Sequence, residues 1–551
     1  MVERIIEGSL RNKALVLLTL LVGVMLSVWA IKHTPLDALP DLTPPQVIVS
    51  VEFPGQSPKV IEDQVVYELT SALLSVPKSS TVRAFTSFGN ALVYVIFDDA
   101  TDLYWARDRV SEVIASVAKT VPQEASIRLG PDATGIGWVF EYALTSNTKS
   151  LQELRTLQDY VYRYALLGVE GVSEVASVGG FVKTYEITLR QDDLVRYDLG
   201  IGQVKNAIAQ NNRDVGGGVL LENGFEHMVQ AKGYAKSAAD LLAIPLGSPK
   251  GVPLTLGDIA DVTLAPSYRS GLAELNGEGE VVGGIVVVRY KENAYKVIQA
   301  VKERLESLHV NDVEVITTYD RSDLILNAIT NLQNVLLEES VVVFVVVMLF
   351  LLHVRSSLVV LIILPLTIAL TFLLMKLFGI ESNIMSLGGI AIAIGAMVDA
   401  CVVMIENVHK KLGGKKGISE SDRVATIIAS SKQVGRPIFF ALLIIVVSFL
   451  PIFSLGGQEG ALFKPLAYTK TFAMLIGAIL AITLVPVLMV FFIKGTLHRE
   501  EKNPLNRFFI AAYGVLLKFS MRFWYLSIAL FVGLLIFGYH TYTKQRWEFM
   551  P

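Results

Sequence analysis

A chain of 551 residues with 48 Lys+Arg, 51 Asp+Glu, a formal net charge of −3 and a mean hydropathy of +0.51 is too apolar to be a string of soluble domains. Only 18% of its residues are charged, against roughly 25% in a typical globular protein. The near-neutral balance excludes the basic surplus of a nucleic-acid binder, and the single cysteine, Cys401, excludes an internal disulfide and a cysteine zinc site.

The apolar residues gather near the N-terminus and after residue 335. A hydrocarbon core about 30 Å thick takes roughly 20 apolar residues at about 1.5 Å rise each. Seven stretches qualify, at about 14–32, 337–354, 358–378, 384–405, 438–455, 470–493 and 524–542. The first follows Arg4, Arg11 and Lys13 like a signal peptide, but its apolar run from Ala14 to Ile31 exceeds a usual h-region of about 7–15 residues, so a retained span is expected. Lys410, Lys411, Lys415, Lys416, Arg423, Lys432 and Arg436 separate spans four and five; Lys494, Arg499, Lys502, Arg507, Lys518 and Arg522 separate six and seven. Such loops stay on the cytoplasmic side. The N-terminus is then cytoplasmic, and the polar segment 33–336 and the C-terminus face the other way. Segment 499–519 sets Phe508, Phe509, Ala512, Val515 and Leu516 on one side, the pattern of a helix lying on the inner membrane surface.

The external segment reads as a repeat. A strand at Val47–Phe53, a helix at Pro58–Leu74, a hairpin at Ala84–Phe97 turning at Gly89-Asn90, a helix at about 103–118 and a strand near Ala125–Leu129 give a β-α-β-β-α-β, ferredoxin-like order. The order recurs as Trp138–Thr145, Leu151–Leu167, Gly171–Val178, Val281–Tyr290, Ala294–Leu308 and Val313–Thr318, interrupted at about 180–272 by an insert whose Gly216-Gly217-Gly218 and Asn223-Gly224 predict a projecting hairpin. The predicted fold is an α-helical bundle of seven transmembrane helices with an α+β external domain. Its expected divisions are 1–35 (N-terminal segment and first span), 36–135, 136–335 with the insert, 336–498 (spans two to six), 499–523 (interfacial helix) and 524–551.

The fourth span carries the most informative chemistry. Asp399 lies in the apolar run Ile390–Ile405, where an ionised carboxylate costs at least about 2.5–3.5 kcal/mol. A residue so costly is expected to face a protein interior, where apolar surroundings disfavour its charge and let it exchange protons. Glu406, seven residues on, shares its face near the cytoplasmic boundary and is a second candidate for the relay. Met397 and Met404 repeat the seven-residue spacing, Met385 precedes them, and Met474 and Met489 lie in span six. Thioether sulfur is a soft ligand suited to Cu(I) and Ag(I), yet methionine is also ordinary core filler, so spacing alone leaves both roles open. The seven histidines show no ligand spacing; His227 beside Met228 is a weak external candidate. Pro365, Pro451 and Pro486 lie in or at the ends of spans, where they can kink helices. No Walker loop, HExxH or GxSxG occurs, so neither ATP nor hydrolytic chemistry is expected.

Met1-Val2-Glu3-Arg4-Ile5-Ile6, Asp37-Ala38-Leu39-Pro40-Asp41-Leu42-Thr43, Thr318-Tyr319-Asp320-Arg321-Ser322 and Gly395-Ala396-Met397-Val398-Asp399 through Glu406-Asn407 resemble the resistance-nodulation-division exporters, in their heavy-metal efflux branch and most nearly its copper/silver subtype. The resemblance covers the whole chain. It implies two porter subdomains, a docking insert reaching a neighbouring protomer, a homotrimer in the bacterial inner membrane, and work with a periplasmic membrane-fusion adaptor and an outer-membrane channel. It implies a secondary transporter without a resident cofactor, proton entry at Asp399 with Glu406 as a second relay group, and a Cu(I)/Ag(I) path along Met385, Met397, Met404, Met474 and Met489. Divalent-metal members carry another Asp six residues before the relay acid; here that position is Ala393, which favours monovalent cargo over zinc, cobalt or cadmium. Members also carry twelve spans, so a missing C-terminal half is expected to supply a three-methionine metal site and the basic partner of Asp399. The chain ends at Glu548-Phe549-Met550-Pro551, where the second porter region is expected to begin, and alone it is expected not to complete the cycle. A fragment serving only assembly or adaptor binding is the reading from a different class.

Overall fold

Alternating burial builds the first sheet. In β1 (Gln46–Glu52) Val47, Val49 and Val51 are fully buried while Ile48 and Ser50 are only partly covered. β2 (Ser79–Ser87), β3 (Asn90–Phe97) and β4 (Ser126–Leu129) complete an antiparallel sheet in the order β2-β3-β1-β4. The hairpin turns one residue earlier than expected, at Phe88-Gly89, because Asn90 already pairs with Ser87. Helix Leu103–Val117 buries Leu103, Ala106, Val110, Ile114 and Val117, one stripe at three- and four-residue spacing. The computed structural model describes all residues except 249, 250, 252, 268, 270, 415–418, 495–502 and 546–551. The expected orienting charges Lys415, Lys416, Arg499 and Lys502 and the terminal Glu548–Pro551 lie outside the described residues.

The second sheet repeats the first. β5 (Trp138–Thr145), β6 (Val172–Gly179), β13 (Val282–Val288) and β14 (Glu314–Asp320) pair in the order β14-β5-β13-β6. By position along each unit the two orders are the same. Both first helices are also interrupted by a five-residue π turn, Glu62–Val66 in one and Gln158–Tyr162 in the other. The sequence suggests two unbroken helices, since a π turn leaves apolar spacing nearly intact. In the second unit the turn serves a buried polar link: Gln158 is fully buried, and its Oε1 accepts from the Tyr142 hydroxyl at 2.8 Å. Burial pushes the Tyr142 phenol up from its ordinary pKa. Gly284 faces Tyr142 across the strands and leaves room for the ring, which a Cβ there would meet at 2.3 Å.

Between β6 and β13 lies the insert, with β7 (Lys183–Leu189) paired to β12 (Ala260–Pro266), β8 (Val215–Glu222) to β9 (Phe225–Ala231), and β10 (Pro245–Gly247) to β11 (Leu254–Thr255). It buries a small core of its own around Val204, Leu241, Leu256 and Ile259. The β8–β9 hairpin turns at Asn223-Gly224, both at positive φ, the two-residue turn that matches strand twist. Every residue of the two strands is exposed. The chain divides into two compact units, one of Met1–Gly130, Asn293–Tyr295 and Ser322–Pro551, the other of Pro131–Glu292 and Lys296–Arg321.

Among the described residues, seven helices are long and apolar enough to cross a membrane: Lys13–His33, Arg321–Leu351, Val354–Leu377, Ile384–Leu412, Glu420–Ser454 (its last turns 3-10), Gly457–Phe492 and Trp524–Lys544. Before them runs a short helix, Val2–Arg11, that buries Val2, Ile6 and Leu10 at four-residue spacing. Glu7 on it is bonded to Lys432 Nζ at 2.6 Å; that hydrogen bond holds the Glu7 carboxyl below its ordinary pKa. Helix Pro504–Arg522 has no buried residue, and neither has the seventh span. Asn503 joins the former to the second span, its Nδ2 donating to Leu349 O and Phe350 O at 2.8 and 2.9 Å.

The bundle core lies between the fourth and sixth spans, where glycine lets the helices touch. A Cβ on Gly389 would fall 2.2 Å from Thr469 Oγ1 and 2.5 Å from Leu466 O. Because one obstacle is backbone, side-chain rotation cannot relieve the clash. Gly389→Ala is expected to destabilise the chain by about 1–3 kcal/mol, the usual scale of overpacking. Denaturant unfolding in detergent micelles would read this as a lower midpoint at unchanged slope.

Candidate functional site

The fourth span is a two-faced helix. Asn383 caps its start, with Oδ1 accepting from Ser386 N at 3.0 Å. One face carries sulfur. Met397 is 1% exposed, Cys401 1% and Met404 0%, at spacings of four and three residues. The buried Ala393 continues the stripe upward. Met397 rides over the sixth span at Gly477, where a Cβ would stand 2.7 Å from its Cγ and 3.3 Å from its Sδ. Met474, one turn before Gly477, and Met489 are both fully buried in the same core. Met404 Cε lies 3.8 Å from where Gly435 of the fifth span would place a Cβ. Met385 is only partly buried. Four of the five methionines singled out from the sequence are thus brought into one continuous core, and Met385 is not part of it.

The other face carries the carboxylates. Ile392, Gly395, Asp399, Val403, Glu406 and Lys410 are all exposed, and at 100° per residue they form one stripe. The expectation that Asp399 is enclosed is not met within this chain. The helices present pack on the sulfur side, and Asp399 stands about 200° from Met397 on the helix circumference. Asp399 and Glu406 do share a face, as their spacing implies.

Three groups were not legible as sites. His353 and His409, 56 positions apart, meet through Ser356: His353 Nδ1 to Ser356 Oγ is 2.7 Å, and Ser356 Oγ to His409 Nε2 is 2.8 Å. Their positions in the sequence carry no ligand spacing, and it is helix packing that brings these two together. His353 Nδ1 also accepts from Ser356 N and so caps the third span; that nitrogen is therefore unprotonated and Ser356 Oγ accepts from His409. Glu339, inside the second span, has an enclosed Oε2 without a hydrogen-bond partner among the described residues. Lys470 of the sixth span lies 3.7 Å over the Phe449 ring. On the insert's hairpin, Met228 is 86% exposed and His227 sits beside it on β9. No group of three or more His, Cys, Asp or Glu suited to a metal occurs among the described residues.

The AcrB/AcrD/AcrF family pattern matches residues 5–551, and the chain belongs to that family. That family is of the resistance-nodulation-division type, in keeping with the seven helices long and apolar enough to cross a membrane. It is 49% identical over 529 residues to the cation efflux system protein CusA of Escherichia coli K12, covering 94% of this chain and 50% of that one. It is 49% identical over 530 residues to the putative cation efflux system protein SilA of Salmonella typhimurium, with the same coverage. The cobalt-zinc-cadmium resistance protein CzcA of Cupriavidus metallidurans is 34% identical over 538 residues, 95% of this chain and 50% of that one. The crystal structure of a heavy metal efflux pump superposes with a TM-score of 0.76 at 28% identity, over 88% of this chain and 48% of that one. The chain spans about half the length of the curated relatives it matches.

Proposed function

We propose that this chain is the N-terminal half of a proton-driven exporter of Cu(I) and Ag(I) in the bacterial inner membrane. The observation that carries the reading is the buried stripe Ala393, Met397, Cys401 and Met404 of the fourth span, packed on the sixth span that brings Met474 and Met489. A face lined by thioethers and lacking a carboxylate suits a soft monovalent ion and not a hard divalent one. The relatives support the same choice: two cation efflux proteins stand at 49% identity, the cobalt-zinc-cadmium protein at 34%. The metal is cargo on this reading, handed along Met385, Met397, Met404, Met474 and Met489.

Asp399 and Glu406 serve as the proton relay. Their exposed stripe is an energetic liability against lipid, so it is completed by helices of a C-terminal half that bring a basic partner. One proton moving down a 100 mV potential releases about 2.3 kcal/mol, enough to offset a roughly 50-fold metal gradient. The two β-α-β-β-α-β units act as ferredoxin-like porter subdomains and the insert as a docking subdomain. The assembly is a trimer with its N-terminus in the cytoplasm, joined outside to an adaptor and an outer-membrane channel. The test is reconstitution of this chain with its second half in proteoliposomes under an imposed proton gradient. Ag(I) flux that stops when a protonophore is added is the expected result. Equal Zn(II) flux would overturn the monovalent assignment, and export by this chain alone would overturn the need for a second half.

A further inference from the structure

Five residues, Asp98-Asp99-Ala100-Thr101-Asp102, join β3 to helix Leu103–Val117. Asp102 caps that helix, its Oδ1 accepting from Trp105 N at 3.0 Å. Asp99, three residues earlier, caps a different one. Its Oδ2 accepts from Gly457 N at 2.9 Å, across 358 positions of sequence. Gly457 opens the sixth span, whose N-cap residue is Gly456 and has no side chain to offer. The first N–H groups of a helix lack partners inside it and carry the positive end of its dipole, so an outside carboxylate satisfies both needs. The backbone is shaped for the contact: Gly457 holds φ +59°, and a Cβ on Gly456 would still clear Asp99 Oδ2 by 4.0 Å.

The loop that delivers Asp99 is itself fixed. Asp98 N bonds Lys78 O at 3.1 Å and Thr101 N bonds Asp98 O at 2.9 Å, and β3 is an inner strand of the sheet. The helix that receives the bond is the one that carries Met474, 17 residues or about 26 Å along its axis from Gly457. We propose that Asp99 is a positioning residue: through it the first external subdomain holds the start of the sixth span, and so sets the height of Met474 and Gly477 against Met397. A shift of the sheet during export then moves the sulfur path directly, without passing through the other spans. The coupling rests on the export reading; the cap itself does not.

The test compares Asp99→Ala with Asp99→Asn, since Asn is as good an N-cap as Asp. In hydrogen–deuterium exchange of the full chain in detergent, Asp99→Ala is expected to raise exchange at residues 457–461 about five-fold, the ordinary worth of one cap. Asp99→Asn is expected to stay within about twofold of wild type. In the pump reassembled with its second half, Asp99→Ala is expected to lower Ag(I) turnover at saturating metal and leave the half-saturating concentration unchanged, and Asp99→Asn to restore it. Unchanged exchange in Asp99→Ala overturns the proposal. So does damage by Asn equal to that by Ala, and so does raised exchange with wild-type turnover, which is what a merely frayed end would give. If the wild-type pump moves no metal, the export reading falls, and the exchange arm still decides whether Asp99 holds the helix.

Discussion

Asp399→Asn is expected to stop proton-coupled Ag(I) flux in the reassembled pump and to leave the fold of this chain intact. An amide has nearly the volume of a carboxyl group but cannot take up and release a proton. The fall should reach about 100-fold or more, the scale on which a proton-transfer group acts. Stability should stay within about 0.5 kcal/mol of wild type, as for other exposed substitutions, because Asp399 contributes no packing to the core of this chain. Flux in proteoliposomes and Ag(I) binding measured side by side would separate the two: binding persists and flux is lost. Wild-type flux from the Asn variant would remove Asp399 from the relay.

The paired substitution Met404→Leu and Met474→Leu tests the other face. Leucine matches methionine closely in volume, so each change should cost less than about 1.5 kcal/mol even at these fully buried positions. Sulfur is what disappears. If the thioethers are ligands, Ag(I) affinity of the chain should weaken by at least the 10- to 100-fold that loss of even an outer-sphere partner costs a metal site. If they are core filler, affinity and flux should be unchanged while the small stability cost remains. Titration calorimetry with Ag(I), paired with denaturant unfolding of the same preparation, distinguishes these outcomes.

The elements were readable where a local rule governs them. Gln46–Glu52 forms the strand that the alternation over Val47–Phe53 suggests, and Asn223-Gly224 turns the hairpin its dipeptide demands. The π turns at 62–66 and 158–162 escaped because one inserted residue barely disturbs an apolar stripe. The short helix Val2–Arg11 had a signal in Val2, Ile6 and Leu10, overshadowed by the charges that precede the first span. His353 and His409, and likewise Asp99 and Gly457, had none: each pair is joined only by how helices and loops pack.

The amino-acid sequence by itself determined the seven apolar helices, the doubled α/β unit with its insert, and the placing of thioethers and carboxylates on one span. These follow from hydropathy and periodicity, which act within a dozen residues. Tertiary structure alone decided that Met397 turns inward onto Gly477, that Met404 turns toward Gly435, and that Asp399 turns away. A helix presents all its faces equally, and which face becomes buried depends on where a distant glycine allows a neighbour to approach.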